Sequence, residues 1–171
     1  TALTQANNGT RVGAGDLQGH VALFAVSDVS QPEPRRLHTE RITAIAIASD
    51  DELITAGREL SLRWTHMTTG TAVTPALDTA GQIEQLAVNH NGEEALIVAA
   101  DTSVRLWRRD SGTPLTIRKP QHARYVAMST AGRGLVVTRD EGKAMEVISL
   151  SSRSVAPMLL HQGKNIETGN T

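Results

Sequence analysis

Asp101–Thr102–Ser103–Val104–Arg105–Leu106–Trp107 is the stretch of sequence that decides the fold. An acidic turn leads into a predicted strand whose apolar and polar residues alternate, and the strand ends at tryptophan. Related segments occur at residues 19–28, 60–64 and 143–147. Four related segments in one chain predict a repeat protein, because a small unit of this kind buries its apolar faces only against its neighbours.

The length of the repeat is measured between the first predicted strands of the four copies. Leu3, Ile45, Leu86 and Val126 hold equivalent positions, with spacings of 42, 41 and 40 residues. Tight turns are predicted after residues 6, 48, 89 and 129, where turn-forming residues are concentrated. Four strands in about 40–45 residues is the period of a β-propeller blade.

The chain is therefore predicted to be all-β, with four blades of four antiparallel strands. The predicted blades cover about residues 1–40, 41–81, 82–122 and 123–160. Residues 161–171 are predicted to be a tail or the truncated start of a further repeat, because His161 follows His122 by 39 residues.

The composition excludes several classes of function. A formal charge of −1 gives no overall attraction to nucleic acid or to a membrane surface, and four aromatic residues are too few for base stacking. The absence of cysteine excludes disulfides and thiolate metal sites, and it fits a reducing, cytoplasmic location. No apolar run reaches the length of a membrane span.

With the segment that ends at Trp107 and the fourfold series in place, the chain resembles the WD-repeat (tryptophan–aspartate repeat) β-propeller family over about residues 1–160. The resemblance implies a ring of four-stranded blades that serves as a rigid platform for protein binding. The connection at residues 28–36 is also similar to the sensor propellers of bacterial multidomain signalling NTPases.

In the WD-repeat family, each blade contains a network of a histidine, a serine or threonine, a turn aspartate and a tryptophan. The resemblance implies that His38 and His122 occupy the histidine position, and that Asp101 and Trp107 occupy the last two positions in the third blade. No blade retains all four residues, and the second has Glu59 near the expected aspartate. The residue of the second blade that is equivalent to Trp107 is either Trp64 or, if the alignment slips by one residue, Arg63.

The remaining chemical motifs favour turns and solvated surfaces. His20, His66 and His90 lack the spacing of metal ligands. The glycines of residues 13–19 do not have the spacing of a dinucleotide-binding loop, and there is no nucleophile elbow. We therefore expect no catalytic residue, no metal and no cofactor.

Arginines provide the most specific candidate for a binding surface. Arg41 and Arg124 are predicted just ahead of a first strand, and Arg58 and Arg139 near turns between second and third strands. The resemblance implies that these places surround one mouth of the channel. Together with Tyr125 they are predicted to bind a protein or an acidic or phosphorylated peptide, because arginine and tyrosine are favoured interface anchors. The alternative is that they are ordinary solvated charges.

The leading hypothesis is a non-enzymatic binding module of a larger protein, and the alternatives are a propeller enzyme, a small-ligand binder in the channel, or a structural spacer.

Because WD-repeat rings are expected to need about seven or eight blades, the four copies predict open apolar faces. We expect these faces to be formed by residues of the type of Ile45 and Ile47 at one end and by Val126 and Met128 at the other. Further blades of the parent chain, a second copy of the chain, or closure with four blades would cover them.

Overall fold

The structure is a computed structural model in which the regular secondary structure of the described residues consists of β-strands. It describes the backbone of residues 2–6, 8–28, 30–118, 123–128, 133–138, 144–149 and 156–162, and the side chains of residues 2–6, 8–28, 30–114, 116 and 126–128. Within this described part of the chain there is no helix that could cross a membrane.

Within the described residues, sixteen strands form four sheets, which we call blades 1 to 4. Blade 1 contains β1 (Ala2–Gln5), β2 (Arg11–Gly15), β3 (His20–Ala25) and β4 (Arg35–Arg36). Blade 2 contains β5 (Ile42–Ile47), β6 (Glu52–Gly57), β7 (Ser61–His66) and β8 (Leu77–Asp78). Blade 3 contains β9 (Ile83–Val88), β10 (Glu94–Ala99), β11 (Val104–Arg108) and β12 (Leu115–Arg118). Blade 4 contains β13 (Ala123–Met128), β14 (Arg133–Thr138), β15 (Ala144–Ser149) and β16 (Ala156–Gln162).

Each blade is an antiparallel meander in which neighbouring strands follow one another in sequence. The predicted fold of four four-stranded antiparallel units is therefore confirmed. The register also supports the equivalence of the first strands, because Leu3, Ile45 and Leu86 each pair with the same position of the second strand, namely Ala14, Thr55 and Ile97. Alternation of apolar residues, which survives sequence divergence, is what makes this period visible.

The outer strands differ most from the sequence-based expectation. β12 was not predicted, and residues 71–78 of blade 2 form only a bridge between Thr65 and Ala72 and the short β8. Pro75 interrupts that segment, since proline cannot donate a ladder hydrogen bond. At the end of blade 4, His161 pairs with Met145 inside β16 instead of opening a new repeat.

The interface between blades 1 and 2 packs large residues against glycine. Ile45 and Ile47 of β5 join one apolar cluster with Val21 and Leu23 of β3. A Cβ at Gly15 would approach the side chain of Ile42 to 2.7 Å, so only glycine allows the two sheets to come this close.

The interface between blades 2 and 3 is the largest buried cluster among the described residues. The alanines of β5, such as Ala44 and Ala46, face Ile83 of β9 and Ile97 of β10. Trp64 and Trp107 are both fully buried there, and their rings meet edge to face with centroids 5.4 Å apart and planes at 73°. This geometry is the one that the aromatic quadrupole favours.

The interface between blades 3 and 4 corrects the prediction for the open apolar faces. Val126 and Met128 pack inward against Leu96 and Val98 of blade 3, so they are not at an open end. The residue in the position of Ile45 that remains open is Leu3, which is 74% exposed on the face of blade 1 away from blade 2. Side chains alternate along a strand, so the two faces of β13 could be assigned only with the sheet order known.

Candidate partner-binding surface

The first strands of the blades pack side by side, β1 against β5, β5 against β9, and β9 against β13. At one end of these strands lie the turns between second and third strands and the connections that lead into the first strands. We call this end the upper mouth and define it by the turns at residues 16–19, 57–60 and 99–102 and the connections at residues 37–41 and 79–82.

Arg41 and Arg58 meet at the upper mouth. Arg41 precedes β5, Arg58 lies in the turn after β6, and the backbone N–H of Arg58 donates to the carbonyl of Arg41 at 2.9 Å. Both residues are exposed. Blade 3 repeats this bond between Ala100 N and Gln82 O at 2.7 Å, so the arginines hold positions that the fold reproduces from blade to blade.

Arg124 does not occupy the position of Arg41. It lies inside β13, and the pairing of β13 with β14 shifts between Ala123 and Tyr125. The same shift occurs around Thr43 in β5 and Glu84 in β9, so Arg124 is the bulge residue of its blade. Such a bulge adds one residue without altering the composition of the strand, and therefore it escaped the sequence analysis.

Several predicted site residues cannot be placed by their side chains. Arg139 and His122 lie outside the described residues, and for Arg124 and Tyr125 only the backbone is described. Tyr125 has the register position that Ala44 holds in blade 2, since they pair with Val137 and Ala56 respectively.

His38 is buried in a hydrogen-bonded network behind the upper mouth. Its Nδ1 lies 2.6 Å from Glu59 Oε1, and its Nε2 lies 2.8 Å from Thr55 Oγ1. Because a carboxylate only accepts, Nδ1–H donates to Glu59, and the neutral ring then accepts the Thr55 hydroxyl proton at Nε2. Burial lowers the pKa of His38 below its ordinary value and outweighs the opposite effect of Glu59.

The turn of blade 3 is stabilised by Asp101. Its Oδ1 accepts the backbone N–H of Ser103 at 2.9 Å and the Ser103 hydroxyl at 2.6 Å, as the prediction of a hydrogen-bonded turn requires. Leu60 and Thr102 both have a φ of 63° and close the turns of blades 2 and 3. Glu59 therefore takes the place of Asp101 in blade 2.

The same alignment corrects the comparison of the tryptophans. Leu62 and Val104, two residues after the closing residues of their turns, pair with equivalent positions of the second strands. Trp64 therefore corresponds to Leu106, and Thr65 corresponds to Trp107. Neither Trp64 nor Arg63 is the equivalent of Trp107, because a small threonine fills that site in blade 2.

Glu52 is a structural residue that the sequence analysis missed. Its side chain is 6% exposed, accepts the indole N–H of Trp64 at 3.1 Å, and also accepts a guanidinium N–H of Arg109 in blade 3. A buried carboxylate with two donors from two blades connects those blades. The recurrence of glutamate 42 residues later, at Glu94, is the one sequence signal for this position.

A cleft of about 230 Å³ lies at the opposite mouth, between the turns that join first and second strands. Asn8, Asp50 and His90 line it, one from each of the first three blades. Asp50 is oriented by the Thr10 hydroxyl, which donates to its Oδ1 at 3.1 Å. Within the described part of the chain, no group of three or more histidine or acidic residues could hold a metal.

The fold is that of a β-propeller of the WD-repeat type, represented by four blades. Among solved structures, the chain is similar to the Myceliophteria thermophila Cps50 (Swd1) β-propeller domain, with a TM-score of 0.72 and 12% identity over 95% of this chain and 56% of that one. It is also similar to a chain of a mitotic checkpoint complex, with a TM-score of 0.65 and 17% identity over 82% of this chain and 47% of that one. The chain thus spans about half the length of these two structures.

No protein-family model matches the sequence, and no curated protein matches it. At such low identity, the similarity to the solved structures shows the fold.

Proposed function

We propose that this chain is a non-enzymatic protein-binding module whose upper mouth binds an acidic or phosphorylated peptide segment of a partner protein. The observation that carries the proposal is the convergence of Arg41 and Arg58 from separate segments of blade 2 onto one exposed rim. Two arginines whose backbones are held next to each other can offer two guanidinium groups to a carboxylate or a phosphate, whose geometry each group matches.

The bonding state of the arginines supports this role. Arg105, Arg108 and Arg109 are each paired with a carboxylate of their own or a neighbouring blade. Among the described residues, the guanidinium groups of Arg41 and Arg58 have no ion pair and no hydrogen bond. Free, exposed guanidinium groups lose little by turning to a partner, whereas paired ones would first have to break an internal contact.

We extend the same surface to Arg124, Tyr125 and Arg139 of blade 4. The bulge at Arg124 lies at the end of β13 that faces the upper mouth, and β14 ends at Thr138 at the same end of the blade. The similarity to a β-propeller domain and to a chain of a multiprotein complex supports a protein partner in general. A sensor role within a larger, cytoplasmic signalling protein is the context that we propose for it.

Reversal of the two charges tests the proposal. Arg41→Glu with Arg58→Glu, in the full-length protein, is expected to lower affinity for phosphorylated and glutamate-rich peptides at least tenfold, because each lost charge-assisted hydrogen bond is worth about 1.5–3 kcal/mol. Fluorescence anisotropy measures the affinity, and the melting temperature should not change because both side chains are exposed.

A charge-matched control comes from the opposite end of blade 1. Arg11→Glu changes the net charge as much as Arg58→Glu does, but it lies at the start of β2, away from the upper mouth. If both single variants weaken binding equally, the effect is one of overall charge. Unaltered affinity of the double variant would show that Arg41 and Arg58 are solvated surface charges.

A further inference from the structure

Six described residues have a positive φ, and the identity of two of them is unusual. Four are glycines, which adopt this conformation without steric cost: Gly9, Gly19, Gly70 and Gly92. The other two are Leu60 and Thr102, which close the turns of blades 2 and 3 at the upper mouth. A positive φ is disfavoured for a leucine because its Cβ crowds the backbone carbonyl.

The conformation of Leu60 is fixed by its surroundings. Its N–H donates to Gly57 O at 3.1 Å, and its carbonyl accepts Thr79 N at 2.7 Å and the Thr79 hydroxyl at 2.9 Å. In blade 1 the equivalent carbonyl, that of Gly19, accepts two backbone N–H groups in the same manner. The fold thus imposes the left-handed conformation at this position. Blade 1 has Gly19 there, and glycine adopts this conformation without steric cost.

Burial does not account for the leucine. Leu60 is 39% exposed, and Leu17, in the corresponding turn of blade 1, is 58% exposed. Leu17 follows Asp16, whose carbonyl accepts the N–H of Ile42 at 3.0 Å, and Arg41 directly precedes Ile42. The two leucines therefore flank the pair formed by Arg41 and Arg58.

The neighbouring carboxylates are mostly occupied within their own blades. Asp16 accepts the backbone N–H groups of Gln18 and His20, and Glu59 accepts from His38. Glu40 remains exposed in the same connection as Arg41. The heads of Arg41 and Arg58 are thus free to turn to a partner, whereas Asp16 and Glu59 are held by their internal hydrogen bonds.

We propose that Leu17 and Leu60 are apolar anchors of the peptide site, so that it takes a segment with an apolar side chain beside an acidic or phosphorylated one. This inference rests on the proposed function of Arg41 and Arg58 and specifies the partner. An exposed leucine held in a disfavoured conformation is a candidate for such a contact, because strained backbone positions cluster at ligand clamps and other functional sites. The two arginines supply the complementary charge for the acidic neighbour.

The test uses a synthetic peptide array probed with the full-length protein. Peptides with leucine or phenylalanine next to glutamate or phosphoserine are compared with two matched sets, one with alanine for the apolar residue and one with lysine for the acidic residue. The unchanged protein should prefer the first set over both others. Leu60→Asn and Leu17→Asn should each lower binding of the first set at least tenfold and abolish the preference over the alanine set.

Stability provides a second readout for Leu60. Asparagine tolerates the left-handed conformation better than leucine, so the melting temperature of Leu60→Asn should equal or exceed that of the unchanged protein. Thr102→Asn is the control, because it places asparagine at the equivalent left-handed position of blade 3 without removing an exposed leucine. It should keep full peptide binding.

The outcomes separate the two proposals. If Leu17→Asn and Leu60→Asn leave binding unchanged while the double arginine reversal abolishes it, the apolar anchors are wrong and the acidic-peptide site stands. A melting temperature lowered by more than about 4 °C, the shift that a loss near 1 kcal/mol produces, would show that Leu60 serves packing. If the unchanged protein prefers no peptide set, both proposals are wrong.

Discussion

Replacing Trp107 by alanine removes the largest side chain that blade 3 contributes to its contact with blade 2. The side chain is fully buried, touches Trp64 edge to face, and donates from Nε1 to the carbonyl of Ser111 at 3.1 Å. Truncation of a buried tryptophan costs about 3–5 kcal/mol, including the cavity that remains. A domain is stable by only about 5–15 kcal/mol, so we expect a large loss.

Urea unfolding followed by far-ultraviolet circular dichroism measures this loss. The chain has two tryptophans, so Trp64 is the sole tryptophan in Trp107→Ala. A red shift of its emission would report that the interface between blades 2 and 3 has become exposed to water. Trp107→Phe is the control, because it keeps an aromatic ring and loses the hydrogen bond, for about 1 kcal/mol. A loss below about 1 kcal/mol in Trp107→Ala, closer to a surface substitution, would refute the burial and the register of β11.

Two further predictions concern the turns and the pH dependence. Gly92→Ala should lower the melting temperature more than Gly9→Ala does. Both glycines have a φ of 73°, but a Cβ at Gly92 would overlap Ala48 O, whereas a Cβ at Gly9 meets nothing nearer than 3.7 Å. Equal melting temperatures of the two variants would contradict the close approach of blades 2 and 3. The lowered pKa of His38 means that the unfolded chain binds the proton more readily, so stability should be complete above the ordinary value of 6.5 and decline as the pH falls below it. In His38→Gln, pH titration of the melting temperature should lose this part of the slope, and an unchanged slope would exclude His38 as its source.

The repeat and the strand order could be predicted from the sequence because they depend on local patterns. Leu3, Ile45 and Leu86 mark the first strands through their spacing, and the structure gives them the same register. The outermost strand β12 escaped prediction because it pairs with one neighbour and is short. A strand of this kind has no alternating pattern strong enough to distinguish it from a loop.

The details of the site depended on backbone geometry that the sequence does not display. The equivalence of Thr65 and Trp107 follows from the positive φ of Leu60, and a leucine is a poor signal for that conformation. The partners Glu52 and Arg109 are 57 residues apart, so neither predicts the other. The convergence of Arg41 and Arg58, in contrast, was predictable from their places relative to the strands.

The faces of the first strands give the stack of blades a direction. β5 turns small residues toward the following blade, namely Ala44 and Ala46, and large ones toward the preceding blade, namely Ile45 and Ile47. Such a contact is heterologous, because a large-residue face of one blade packs against a different face of its neighbour. A blade that covers Leu3 in the way that blade 1 covers Ile45 would present the same side as blade 1 does, so that assembly proceeds with one polarity around the axis.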